Sequence, residues 1–142
     1  FLSSKDLIAV PLSHAKGDRG ASSETPVHRA LYQALPGARA VAHSHPPYAT
    51  ALSMDAGAIV PFDSDSLFIR TIPVLSGVRY QEGSAAVARR LPALMKTSGV
   101  AIVRGHGAFA VGDSLAQCVA RLTMMENQCR LVFFRRLLKG KK

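Results

Sequence analysis

The stretch Ala38-Arg39-Ala40-Val41-Ala42-His43-Ser44-His45-Pro46-Pro47-Tyr48-Ala49-Thr50-Ala51 decides how this chain is built. It reads as a strand over Ala38–His45 that ends in two histidines, followed by a short helix opened by Pro46-Pro47 and running to about Met54. Side chains at i and i+2 of a strand point to one face, so His43 and His45 can grip one metal ion together. Far along the chain stands Gly105-His106-Gly107. A third imidazole from that turn would complete a His₃ set and leave a position open, the arrangement of a catalytic rather than a structural metal. A lone histidine is more often a hydrogen-bonded packing residue. A His-x-His pair at a strand end shifts the balance, because two imidazoles on one face repel when both are protonated. The flanking glycines permit positive φ and close approach to a ligand.

Outward from this stretch, the pattern alternates strands and helices. Upstream, Thr25 reads as an N-cap with Pro26 at the first helical position. Val27, Ala30, Leu31, Ala34 and Leu35 then follow helical spacing until Pro36-Gly37 stops the helix. Leu7–Leu12 reads as a strand and Ser13–Ser23 as a polar loop. Downstream, Ser66–Leu75 reads as one strand or a pair, with Leu67, Phe68, Ile69 and Val74 inside. Ser84 can cap a helix carrying Val87, Leu91, Leu94 and Met95, bent at Pro92. Val100–Arg104 and Ala108–Val111 read as strands around the Gly-His-Gly turn. Asp113 or Ser114 caps a long amphipathic helix with the stripe Leu115, Cys118, Val119, Leu122, Met125, Cys129 and Val132. The class is α/β, a central sheet with helices packed against it.

The 142 residues, 48% of them hydrophobic, suffice for one domain with a sizeable core. No apolar run reaches the length of a membrane span, and no repeat or linker interrupts the chain. Phe1-Leu2 followed by Ser3-Ser4-Lys5-Asp6 is no signal peptide; the domain, residues 1–142, reads as one whose beginning is missing. Eighteen Lys+Arg against nine Asp+Glu give a net charge of +9, which suits anionic or phosphorylated partners. Much of the excess crowds the C-terminus (Arg130, Arg135, Arg136, Lys139, Lys141, Lys142) as a solvated basic tail. With no Trp and no nucleic-acid motif, neither a nucleic-acid nor a membrane partner is expected. Cys118 and Cys129 fall eleven residues apart on one helix, about 16 Å along its axis, too far to pair with each other. They read as free buried thiols of a reducing, cytoplasmic compartment.

Glu24, just before the helix start, is either a dipole-compensating carboxylate or a general base beside the metal. The Ser22 and Ser23 hydroxyls at that start can cap it or hold a phosphate. Tyr48, three residues after His45, can donate a proton or pack. His28 reads as a packing residue, His14 as a loop residue, and Asp63 and Asp65 as turn residues. Glu126, at the edge of the long helix's stripe, is open between a supporting or ion-paired role and a solvated flank.

Three segments together resemble the class II aldolase/adducin-like family: Ser22-Ser23-Glu24-Thr25-Pro26-Val27-His28-Arg29-Ala30-Leu31-Tyr32, Ala42-His43-Ser44-His45-Pro46-Pro47-Tyr48-Ala49-Thr50-Ala51, and Arg104-Gly105-His106-Gly107 with Val111-Gly112. Leu2-Ser3-Ser4-Lys5-Asp6-Leu7 is similar to the family's approach to a strand. The order is right and the match spans nearly the whole chain. The resemblance implies a three-layer α/β/α sandwich around a mixed or mainly antiparallel sheet. It implies Zn²⁺, or Mn²⁺ or Co²⁺, on His43, His45 and His106, with Glu24 as the acid/base. It also implies a homotetramer with interfacial active sites, and retro-aldol cleavage of a small phosphorylated ketose to dihydroxyacetone phosphate and an aldehyde. Sugar-phosphate 4-epimerases and methylthioribulose-phosphate dehydratases share the scaffold, but the epimerase pattern has Asp where this chain has Glu24. The family's upstream phosphate-binding segments are not matched. A rival likeness, His43-Ser44-His45-Pro46 with Ser53 and Asp55, is to the JAMM zinc isopeptidases. There the Ser–Asp spacing departs by one residue, and Gly105-His106-Gly107 goes unexplained.

Overall fold

The computed structural model describes residues 3–13, 20–77 and 85–140. Its elements run α1 (Thr25–Ala34), β1 (Ala40–Ser44), α2 (Pro47–Ser53), β2 (Ala58–Ile59), β3 (Ile72–Leu75), α3 (Ala85–Ser98), β4 (Val100–Val103), β5 (Gly107–Gly112) and α4 (Leu115–Lys139), with 3₁₀ turns at Ser4–Asp6 and Ser64–Leu67. The strands form one sheet in the order β1-β5-β4-β3-β2. Only β3 and β4 are parallel; the other three pairings are antiparallel.

The sheet is covered on both faces, as the uninterrupted apolar runs of β4 and β5 require. Every residue of both strands is buried. Alternation divides them. Val100, Ile102, Ala108 and Ala110 face α2 and α4, together with Ile72 and Val74 of β3 and with Leu52, Cys118, Met125, Cys129 and Val132. Ala101, Val103, Phe109 and Val111 face α1 and α3, against Val27, Leu31, Val87, Leu91 and Met95. The result is the expected three-layer α/β/α sandwich with a mixed, mainly antiparallel sheet. Among the described residues no helix is long and apolar enough to cross a membrane.

Several local expectations are corrected. Leu7–Leu12 forms no strand, and Leu7 is 72% exposed. The carbonyls of Pro11 and Leu12 instead accept from the side chains of Arg29 and Gln33 on α1, so the segment lies along a helix rather than a sheet edge. In Ser66–Leu75 only Ile72–Leu75 is strand, and Leu67 and Phe68 are exposed on a 3₁₀ turn. The stripe of α4 holds for Cys118, Met125, Cys129 and Val132, but Leu115 and Val119 are exposed and Gln128 is buried in their stead. Ser114 is the cap, its side chain accepting from Gln117 N. Helix α3 continues past a buried Pro92. The expected cap Ser84 lies outside the described residues, as does His14.

Cys118 and Cys129 are free and buried. Burial, and secondarily the Glu126 carboxylate, pushes the Cys129 thiol up to about 12; burial raises Cys118 as well. At pH 8 the native protein is therefore expected to leave both thiols unreacted with Ellman's reagent, because the thiolate is the nucleophile. Addition of denaturant should release both at once. Rapid reaction of the native protein would contradict this burial.

Candidate metal centre and acid–base site

The antiparallel pairing of β1 with β5 sets His43 opposite Phe109. The His43 side chain falls on the α1/α3 face, one strand period beyond Val41, and stacks on Phe109 with ring centroids 4.2 Å apart. Its Nδ1 lies 2.9 Å from the Ala108 carbonyl oxygen. That oxygen can only accept, so Nδ1 carries the proton and the Nε2 lone pair is left for a ligand. Burial holds the His43 pKa below the ordinary histidine value, although the bond to Ala108 and the charge of Glu24 oppose the shift. His45 follows the last residue of β1 and is the exposed member of the set. His106 comes from the turn joining β4 to β5, closed by His106 N donating to Val103 O at 3.0 Å.

The three Nε2 atoms converge: His43 to His45 3.1 Å, His45 to His106 3.3 Å, His106 to His43 3.0 Å. Nitrogens held about 2.1 Å from one Zn²⁺ at angles between square and tetrahedral stand roughly 3.0–3.4 Å apart, so the triangle has the size a metal needs. The nitrogens cannot satisfy one another. Each contact shares at most one proton, and protonating two rings would press like charges together. A cation at the centre of the triangle removes the conflict. Among the described residues this is the group of His, Cys, Asp or Glu with metal-ligand geometry.

The glycines around His106 serve different ends. Gly105 has φ +69°, which only glycine adopts without strain. Its N–H donates at 3.0 Å to Oγ of Ser53, which is buried and in turn donates to Thr50 O at 2.6 Å. Gly107 is needed for space. A Cβ there would stand 2.5 Å from Ser44 O, 2.7 Å from His45 Cδ2 and 3.0 Å from His43 Cε1.

Glu24 is 5% exposed, and its Oε1 is 3.8 Å from His106 Nε2. It, not Thr25, holds the N-cap position of α1; its backbone carbonyl accepts from Val27 N and His28 N, but its side chain makes no cap bond. The carboxylate is turned from the helix start toward the imidazoles. Ser22 Oγ accepts from Glu24 N at 3.2 Å, and Ser22 and Ser23 are exposed beside it. His28 meets Phe109 edge-on at 5.9 Å, in the packing role expected of it. Burial foremost, then the neighbouring His43, lowers its pKa.

Tyr48 lies in the contact between α2 and α4, its ring 5.4 Å from Phe133 and 5.9 Å from Phe134. Asp55, which an isopeptidase pattern would recruit, is exposed after α2 in a groove shared with Phe133, Arg136 and Leu137, outside the imidazole cluster. Asp63 holds the N-cap position of the 3₁₀ turn that contains Asp65, without a side-chain cap bond. Glu126 has a role more definite than a helix flank: both its oxygens accept backbone N–H groups, from Tyr48 and Ala49, at 2.9 Å each. A signal for this was present in the chain. A helix that begins His-Pro-Pro has no side chain of its own to cap its first amides, so an acceptor must come from elsewhere.

Comparison with known proteins gives the family. Residues 1–133 match the family described as Class II Aldolase and Adducin N-terminal domain. The crystal structure of L-fuculose-1-phosphate aldolase from Thermus thermophilus superposes with a TM-score of 0.89 at 31% identity, covering 99% of this chain and 74% of that one. A probable bifunctional methylthioribose-1-phosphate isomerase/methylthioribulose-1-phosphate dehydratase from Nocardia farcinica is 30% identical, over 92% of this chain and 27% of its own length. A 3-oxo-tetronate 4-phosphate decarboxylase from Escherichia coli (strain K12) is 27% identical, over 79% of this chain and 55% of its own. The chain thus spans about a quarter to a half of these two curated relatives.

Proposed function

The chain belongs to the Class II Aldolase and Adducin N-terminal domain family, and on that premise we propose that it is a divalent-metal-dependent lyase acting on a small phosphorylated ketose, cleaving it to dihydroxyacetone phosphate and an aldehyde. The observation that carries the reading is the convergence of three imidazole Nε2 atoms beside a buried carboxylate. His43, His45 and His106 would hold the ion, Zn²⁺ or alternatively Mn²⁺ or Co²⁺. Such an ion supplies Lewis-acid charge to the oxygens of a carbonyl substrate.

The remaining work falls to the chain's own groups. Glu24 is assigned the proton at the carbon next to the carbonyl: as the carbon–carbon bond breaks, the proton of the hydroxyl that becomes the aldehyde oxygen leaves to water and Glu24 gives its own proton to the carbon, and both transfers reverse in the condensation direction. Its burial keeps bulk water from competing for that carbon. The hydroxyls of Ser22 and Ser23, exposed beside the start of α1, offer donors for a phosphate. No proton is assigned to Tyr48, because its ring is engaged with Phe133 and Phe134. His45 is exposed, so closure of the site over substrate is assigned to a neighbouring subunit of a homotetramer.

A second reading is favoured by the named relatives, a dehydratase and a decarboxylase. Both reactions need the same polarised carbonyl and the same proton handling at the adjacent carbon. The test is a panel of ketose phosphates and keto-acid phosphates incubated with the Zn²⁺-, Mn²⁺- or Co²⁺-loaded protein and followed by NMR. Dihydroxyacetone phosphate supports the aldolase reading. Loss of water, loss of CO₂ or an unfragmented isomer would replace it with dehydratase, decarboxylase or epimerase.

A further inference from the structure

We propose that Glu126 is a positioning residue for the metal-ligating histidine His45, acting through the first turn of α2; this rests on the reading of the three histidines as a metal centre. His43 is fixed by the β1–β5 ladder and by its own bond to Ala108 O. His106 sits in a turn closed by Val103 O and tied at Gly105 N to Ser53. His45 lies past the end of its strand and exposed, so what places its backbone is the element that follows it.

That element is α2, which has seven residues and is too short to be stable by itself. Its N-cap is Pro46, which provides no side-chain cap, and the amides of Tyr48 and Ala49 would otherwise be orphans of the first turn. One carboxylate takes both. Glu126 stands next to Met125 and three residues before Cys129, both fully buried, so its backbone is anchored in the core and its side chain clamps α2 to α4. Its negative charge also faces the positive end of the α2 dipole.

The link from clamp to ligand is stiff. Only Pro46 and Pro47 separate His45 from Tyr48, and both have φ locked by their rings. The Pro46 carbonyl is itself held by Thr50 N at 3.0 Å and Thr50 Oγ1 at 2.7 Å. A shift of the α2 start therefore passes to His45 with little chance of being absorbed on the way.

The test uses the full chain and the affinity for Zn²⁺, measured by competition with a chromophoric chelator, with Co²⁺ absorption as a second signature. Glu126→Gln keeps shape and most packing, but it replaces one acceptor oxygen by an amide that confronts a backbone N–H. The expected result is a Zn²⁺ dissociation constant raised about 10–100-fold, with changed Co²⁺ bands. Val87→Ala, a buried position across the sheet from α2, should lose thermal stability yet keep wild-type Zn²⁺ affinity. Wild-type Zn²⁺ affinity in Glu126→Gln, or an equal loss in Val87→Ala, would overturn the proposal. Failure of the wild-type chain to bind Zn²⁺ would instead overturn the metal-centre reading beneath it.

Discussion

Glu24→Gln is expected to lower turnover about 10²- to 10⁴-fold, the usual contribution of a positioned general acid or base, while the protein still folds and loads metal. The separation of effects follows from where the side chain goes. The Glu24 backbone makes the cap of α1 and the side chain adds no bond to it, so an isosteric amide leaves the helix start intact. The imidazoles have supports besides this residue: Nδ1 of His43 is held by Ala108, and the His106 turn by Val103 and Ser53. What is lost is a group able to exchange a proton beside His106 Nε2, 3.8 Å away. The measurement is the rate on whichever sugar phosphate the NMR panel identifies, alongside bound metal per chain. Near-normal turnover at normal metal content would remove Glu24 from the acid–base role.

Gly107→Ala should abolish function by a different route. A methyl at that position collides with the Ser44 carbonyl and with the rings of both His43 and His45. The backbone oxygen cannot retreat without breaking the β1–β5 register at Ser44↔Ala108, and the two rings can move only by leaving the metal position. Overpacking of this kind costs about 1–3 kcal/mol of stability. Metal affinity is expected to fall about 100-fold, the upper end for changes behind the ligands. Thermal unfolding and chelator competition together check it. A variant with wild-type Zn²⁺ affinity would show that the imidazoles need not stand where this geometry puts them.

The convergence of His43, His45 and His106 was foreshadowed in the chain by two short patterns. A His-x-His at a strand end can only put both rings on one side, and a Gly-His-Gly turn announces close approach. Strands β4 and β5 were legible for a related reason: their apolar runs admit no solvated face. Leu7–Leu12 looks just as strand-like, yet a strand exists only if an edge is there to receive it, and the side chains of Arg29 and Gln33 take its carbonyls first. Leu67 and Phe68 misled in the same way, since β propensity carries no information about the partner. Leu115 and Val119 follow helical spacing but stand exposed at the start of α4, while the stripe that reaches the core begins at Cys118.

Two site features were beyond local reading. Whether the Glu24 carboxylate served the helix or the imidazoles depended on where His106 arrives, more than eighty residues later in the chain. The function of Glu126 depended on α4 crossing the start of α2, a contact that neither helix's own pattern encodes. Its only trace in the chain was negative: a helix opened by two prolines with nothing beside it to cap its amides.

The most direct measurement is bound metal per chain in the wild-type protein and in His106→Ala, by elemental analysis after dialysis against buffer containing Zn²⁺ and then against metal-free buffer. Equimolar zinc is expected in the wild type and near-complete loss in His106→Ala, because two imidazoles cannot hold the ion that three were built around. Zinc retained in full by His106→Ala, or absent from the wild type, would contradict it.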